Sequence, residues 1–264
     1  MYENAVVAAS WVADRLDELR VVDVRDAWEF DGIGHVPGAV NVPFDEFRSS
    51  AGDEGMLPGE EVWAELLEAA GVDNGDHLVA YDDTHGVFAA RFLVTAELYG
   101  HDTDRLHLLD GDYSAWSREY ETTTTETTDP EPTTYEVRRP ERTPLVDYET
   151  VLDSLDDSDV VVVDTREAWE YEEGHIPGAV QLDWREFVDD EARGLKPAEE
   201  LESILTDHGV GDDQQVLLYC NTARRISHTY LVLRHLRYED IAFYEGSLTE
   251  WEERGGPIES EDAE

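Results

Sequence analysis

Four blocks of this sequence occur twice, in the same order, and that repetition limits the fold more than any local pattern. Val22-Asp-Val-Arg-Asp-Ala-Trp-Glu-Phe30 matches Val163-Asp-Thr-Arg-Glu-Ala-Trp-Glu-Tyr171. Gly34-His-Val-Pro-Gly-Ala-Val40 then matches Gly174-His-Ile-Pro-Gly-Ala-Val180, with one extra residue between the two blocks in the first copy. His77–Tyr81 corresponds to Gln215–Tyr219, and Gly111–Trp116 to Gly246–Trp251. The chain is therefore one unit written twice, and its 264 residues suit two domains of ordinary size. The expected division is a first domain over 1–120, a linker over 121–142 and a second domain over 143–264. The linker, Glu121 to Arg142, is rich in Thr, Pro and Glu and has neither a strand nor a helix period, so it reads as an extended, solvated connector.

Each copy alternates strand and helix. In the second, helices are expected over Asp147–Leu155, Glu167–Tyr171, Pro197–His208, Ser227–Leu236 and Leu248–Glu253. Strands are expected over Val160–Val163, Ala179–Leu182, Val216–Tyr219 and Ile241–Tyr244. Short, continuous apolar runs of this kind fit an α/β fold with a parallel sheet covered by helices on both faces. In such sheets ligands bind beyond the C-terminal ends of the strands.

The single cysteine, Cys220, stands at that end of the Val216–Tyr219 run. A thiol at a strand-to-helix turn meets backbone N–H groups with no partner inside the helix. Arg224 and Arg225 follow in the same turn. Helix N-termini and cationic neighbours both favour the thiolate, which is the nucleophilic form. The alternative is a small buried core residue, the usual fate of a lone cysteine. Paired arginines beside it favour the nucleophile.

Charge excludes other functions. The chain has 64 acidic against 19 basic residues, a formal charge of −45, and its only lysine is Lys196. Such a surface repels nucleic acid and anionic membranes, so neither is expected as a partner. Regular apolar periodicity argues for a folded protein. Near-absence of lysine with abundant Asp and Glu resembles proteins of extreme halophiles, where molar salt shortens the screening length to about 3 Å. The melting temperature should then fall in dilute buffer as self-repulsion grows; an unchanged value would contradict the halophilic reading. The N-terminal MYENAVVAASW lacks a basic leader, and one cysteine allows no internal disulfide, so a cytoplasmic monomer is expected. Because carboxylates are everywhere, no acid–base pair is assigned from them.

The Gly-His-x-Pro-Gly-Ala turns, the Gly246–Trp251 block and the cysteine loop, duplicated and in order, resemble the tandem-domain rhodanese family of thiosulfate and 3-mercaptopyruvate sulfurtransferases. The resemblance spans almost the whole chain. It implies two rhodanese-like domains, each a parallel five-stranded sheet flanked by helices on both faces. It also implies a catalytic cysteine in the second domain only. Aligning Tyr81 with Tyr219 puts Asp82 where Cys220 stands, so the first domain lacks a nucleophile. A carboxylate there would repel an anionic donor; Asp82 reads as a cap on the following turn.

The loop Cys220-Asn221-Thr222-Ala223-Arg224-Arg225 gives Cys-x4-Arg. A cysteine phosphatase needs its arginine one residue later, where Ile226 stands. The resemblance then implies that the Cys220 thiolate takes the sulfane sulfur from thiosulfate and releases sulfite. The resulting persulfide passes its sulfur to a thiol or cyanide. Loop amides from Asn221, Thr222, Ala223, Arg224 and Arg225 would stabilise the terminal sulfur, and the two arginines would bind the anionic donor. No metal or organic cofactor is expected. Alternatives are 3-mercaptopyruvate as donor, or a persulfide carrier that does not turn over. Two departures from the related Cys-Arg-x-Gly-x-Arg loop bear on rate: Asn221 replaces an arginine, and Ala223 replaces a glycine, although glycine adopts positive φ far more readily. His35, His175, Asp23, Arg25, Asp164 and Arg166 recur in both halves, so they read as structural; Trp116 and Trp251 read as core anchors.

Overall fold

The computed structural model describes residues 5–48, 56–124 and 130–260. Two compact units emerge: one of Met1–Glu141 with Asp189–Leu195, the other of Arg142–Val188 with Lys196–Glu264.

In the first unit the elements run β1 (Val6–Ala8), α1 (Ala9–Ala13), β2 (Arg20–Asp23), α2 (Ala27–Gly32) and β3 (Val40–Asn41). They continue as α3 (Glu60–Ala69), β4 (Leu78–Tyr81), α4 (Val87–Leu98), β5 (Leu106–Asp110) and α5 (Tyr113–Glu119). The second unit repeats the plan: β6 (Leu145–Val146), α6 (Tyr148–Ser154), β7 (Val160–Asp164), α7 (Ala168–Glu173) and β8 (Val180–Gln181). It ends with α8 (Ala198–Asp207), β9 (Gln215–Tyr219), α9 (Arg224–His235), β10 (Ile241–Tyr244) and α10 (Ser247–Glu253).

The sheets have the same order, β1-β5-β4-β2-β3 and β6-β10-β9-β7-β8, and every pairing is parallel. The register is also shared: Val22 lies opposite Ala80 in one sheet and Val163 opposite Leu218 in the other. β4 and β9 are the middle strands. Helices flank both sheets, which is why Leu78–Tyr81 and Val216–Tyr219 are buried along their whole length. Trp116 and Trp251 are buried in the two cores, each indole N–H donating to a carbonyl just past its helix, Glu121 at 2.9 Å and Pro257 at 2.8 Å.

Two local expectations need correction. Helix α9 begins at Arg224, three residues before the expected Ser227. Ala223 adopts the left-handed conformation, φ 61°, and turns the chain straight into the helix, so both arginines sit in the first helical turn. The linker contains no helix or strand among the described residues, yet it is not free in solvent. Tyr135 is buried, its amide donates to Glu68 at 3.1 Å, and Glu136 and Asn74 exchange side-chain–backbone bonds at 2.9 and 3.0 Å. The Arg138 amide donates to the Tyr99 carbonyl, so this segment is laid along the first unit. Residues 125–129, which include the end of the threonine run, lie outside the described residues. No described helix is long and apolar enough to cross a membrane.

Candidate active site

In both units the middle strand ends on a tyrosine whose hydroxyl takes part in the packing below the loop. The Tyr219 hydroxyl accepts from the Ile176 amide at 3.1 Å, and the Tyr81 hydroxyl accepts from Val36 at the same distance. Beside each tyrosine lies a buried ion pair from the repeated Asp-x-Arg motif. Arg166 donates to both oxygens of Asp164, through Nε at 2.9 and 3.0 Å and Nη2 at 2.6 Å, and also to the Gly174 carbonyl. Asp23 and Arg25 do the same in the first unit. His175 stacks on Tyr171 with ring centres 3.7 Å apart, and its Nδ1 lies 2.8 Å from the Tyr171 carbonyl. His35 repeats this on Phe30. These residues are structural, as their duplication implies.

Cys220 follows Tyr219 directly. Its amide donates to Ser247 Oγ at 3.2 Å, and its carbonyl accepts from the Leu248 amide at 2.9 Å. The Asn221 carbonyl accepts from Thr249 Oγ1 at 2.9 Å. The start of α10 thus pins the first two loop residues. At the far end, the Arg224 amide closes on the Thr222 carbonyl at 2.8 Å, and the Ser227 hydroxyl caps the Ala223 carbonyl at 2.8 Å. Among the described residues, the backbone N–H groups of Asn221, Thr222, Ala223, Arg225 and Ile226 make no hydrogen bond. Unpaired amides at a helix start form an anion-holding concavity.

The thiol itself is less open than an active-site nucleophile is expected to be. Cys220 is only 1% exposed, so a donor reaches it only when side chains or the loop move aside. In burial it matches the core-residue alternative, because it continues the buried end of β9.

The arginines also differ from expectation. Arg225 pairs through Nη1 with the carboxylate of Glu170, in the first turn of α7. The other Glu170 oxygen accepts from Asn221 Nδ2 at 2.7 Å. The Glu167 amide adds a capping-box bond at 3.1 Å. Burial pushes the Glu170 carboxyl up, but the Glu167 amide, Arg225 and Asn221 outweigh it and hold the group below the usual carboxylate range. Arg166 Nη1 approaches Asn221 Oδ1 at 3.4 Å, so Asn221 is held from both sides. Of the predicted site residues, Cys220, Asn221, Thr222 and Ala223 form the loop and Arg224 and Arg225 open the helix. Glu170 was not among them. Its signal was the Glu167-x-x-Glu170 spacing in a repeated block, hidden among many carboxylates.

The corresponding loop of the first unit is filled. Asp82, fully buried, accepts four backbone N–H bonds: from Thr84 at 2.7 Å and Gly86 at 2.8 Å on one oxygen, and from Phe88 at 2.8 Å and Ala89 at 3.0 Å on the other. It therefore caps the turn and helix, as expected from sequence. Burial pushes its carboxyl above the usual range, against the pull of those amides. A cavity of about 270 Å³ beside it is lined by Asp26, Glu29, Asp45, Asp82 and Asp83, with Arg25 also in its wall. Arg193, in the 189–195 segment of this unit, chelates Asp112 and reaches the Asp83 carbonyl at 3.1 Å.

Comparison with known proteins agrees with this architecture. A thiosulfate sulfurtransferase, so named provisionally, from Synechococcus elongatus is 32% identical over 96% of this chain and 84% of its own. The sulfur carrier protein TtuD of Thermus thermophilus is 28% identical over 95% of this chain and 94% of its own. The crystal structure of SseA from Escherichia coli, described as a 3-mercaptopyruvate sulfotransferase with the rhodanese fold, superposes with a TM-score of 0.81 at 24% identity, covering 92% of this chain and 98% of that one. The rhodanese-like domain family matches residues 8–119 and again 147–254, and the chain belongs to that family, with two copies of its domain.

Proposed function

We propose that this protein is a sulfurtransferase that carries sulfane sulfur on Cys220, with thiosulfate as donor and a thiol or cyanide as acceptor. The observation that carries the reading is the set of unpaired amides around the loop, at the positions where the sister loop offers four N–H groups to a carboxylate. The same backbone plan that binds an anion in the first unit is free in the second, next to the chain's one thiol.

In the proposed reaction the Cys220 thiolate attacks the outer sulfur of thiosulfate. The sulfur–sulfur bond breaks, and sulfite leaves with the electron pair. The persulfide's terminal sulfur bears the negative charge, and the amides of Asn221, Thr222, Ala223, Arg225 and Ile226 stabilise it. An acceptor thiolate or cyanide then attacks that sulfur and regenerates the Cys220 thiolate. Arg224 and Arg225 add positive potential at the helix start, although Arg225 already shares its charge with Glu170. The first domain, over 1–120, contributes no nucleophile; the linker over 121–142 leads into the catalytic domain over 143–264. We place the protein as a monomer in a cytoplasm of high salt.

The relatives divide between turnover and carriage, as the names thiosulfate sulfurtransferase and sulfur carrier protein indicate. The burial of Cys220 favours a second reading, a persulfide carrier that does not turn over. Steady-state sulfite release from thiosulfate with a thiol acceptor, in molar potassium chloride, separates them. Turnover predicts many equivalents of sulfite per chain; a stop after one supports the carrier. The pairing of Arg225 with Glu170 leaves less free positive charge than the loop sequence suggests, and 3-mercaptopyruvate, with one carboxylate, is the alternative donor. Replacing thiosulfate by 3-mercaptopyruvate in the same assay ranks the two donors.

A further inference from the structure

The two loops are held in opposite ways. In the first unit the carboxylate of Asp82 gathers four amides from inside the turn. In the second unit the inside has to stay vacant if sulfur is to occupy it, so whatever orders the loop must act from outside. One side chain reaches both ends of it. Glu170 accepts from Asn221, the residue after the cysteine, and from Arg225, the last residue of the Cys-x4-Arg motif.

We infer that Glu170 is the positioning residue of the Cys220 loop: it ties Asn221 and Arg225 to α7 and so keeps the free amides facing the sulfur. The inference rests on the sulfur-transfer reading for its purpose but not for its geometry.

The duplication supplies a control. Glu29 occupies the same place in the first copy of the repeat. Among the described residues, it serves only the Asp26 amide in the helix cap, at 3.2 Å. Its environment pushes it the other way: burial raises the Glu29 carboxyl despite the Asp26 amide and Arg25, while Glu170 is lowered. The loop ligands, not the helix cap, make the difference. Two arginines in the first turn of α9 also oppose the helix dipole, which favours anions there. The Glu170 carboxylate offsets one of them.

The test uses the intact chain and its sole cysteine. Glu170→Ala, Glu170→Gln and, as the sister-unit control, Glu29→Ala are compared for the rate of Cys220 labelling by iodoacetamide. They are also compared for sulfite release per titrated thiol, resolved into kcat and KM for thiosulfate. A hydrogen-bond clamp to charged groups predicts labelling of the buried thiol roughly ten- to hundredfold faster in Glu170→Ala, with kcat per thiol lower by a similar factor. KM should be unchanged or lower, because Arg225 is released towards the donor. Glu170→Gln keeps an acceptor for Asn221 and should recover part of both losses. Glu29→Ala should match the parent. A purely structural role would lower the folded fraction without changing kcat per titrated thiol. Labelling and kcat both within about twofold of the parent in Glu170→Ala overturn the inference; so does faster labelling with unchanged kcat. A parent that takes up no sulfur overturns the functional reading instead, and labelling alone then decides the clamp.

Discussion

The loop at 82–89 and the loop at 220–226 leave the equivalent middle strands of the two sheets and enter equivalent helices, yet one is closed by its own side chain and the other is not. Asp82 occupies the amide ring of the first unit with both carboxylate oxygens. Cys220, at the equivalent position of the second, is a free buried thiol. The residue at the strand end thus differs in kind between the loops, a carboxylate that gathers amides in one and a thiol in the other. In the first unit the backbone amides hold a carboxylate, and in the second the amides of Asn221, Thr222, Ala223, Arg225 and Ile226 make no hydrogen bond among the described residues.

The largest effect that tests this contrast is at the nucleophile. Cys220→Ser should reduce sulfite release to background while leaving the urea midpoint close to that of the parent, since the loop is pinned by Ser247, Thr249 and Glu170. Next is the plug. Asp82→Asn presents one acceptor oxygen where two are used, so two of the four amides lose their partner. It should destabilise the first unit by roughly 3–5 kcal/mol in urea unfolding, nearly as much as Asp82→Ala. Turnover per folded chain should change by less than about twofold, because the loop at Cys220 is not involved.

A third comparison uses pH. The folded state lowers the Glu170 carboxyl, so its contribution is full above the ordinary glutamate value of about 4.3 and disappears as pH falls through the lower, folded value. Glu29 is raised in the folded state, so its ionisation weakens folding at neutral pH and that effect is relieved in acid. On acidification the parent should therefore lose its stability advantage over Glu170→Gln, while its stability deficit relative to Glu29→Gln should be relieved.

The smallest effects are at the left-handed residue that starts each helix. Gly86, φ 84°, would bring an added Cβ to 3.2 Å from Leu108 Cδ1, so Gly86→Ala should cost about 1–2 kcal/mol. Ala223→Gly relieves a left-handed alanine but removes a buried methyl worth about 0.8 kcal/mol. Its net change should be below about 0.5 kcal/mol.

Much of this contrast was legible in the sequence because it is written as a repeat. The strand ends, the position of Cys220, the inert Asp82 and the structural roles of His35, His175, Trp116 and Trp251 follow from aligning the halves. The edge strand Leu145–Val146 did not emerge, since two residues carry no period. The start of α9 was misplaced because the tight turn at Ala223, φ 61°, puts Arg224 directly into the helix. The burial of Cys220 is that of the core-residue alternative, and the paired arginines that argued against it are partly engaged elsewhere, Arg225 with Glu170. Glu170 was obscured by the repeat itself: its twin Glu29 only caps a helix, so duplication argued for the lesser role.

The central claim is that Cys220 takes up a sulfur atom, stabilised by the loop amides. Intact-protein mass spectrometry after incubation with thiosulfate in molar potassium chloride tests it directly. The account predicts a gain of one sulfur per chain, located on the peptide containing Cys220, removed by a thiol and absent from Cys220→Ser. An unchanged mass for the parent protein, with the thiol still titratable, would contradict it.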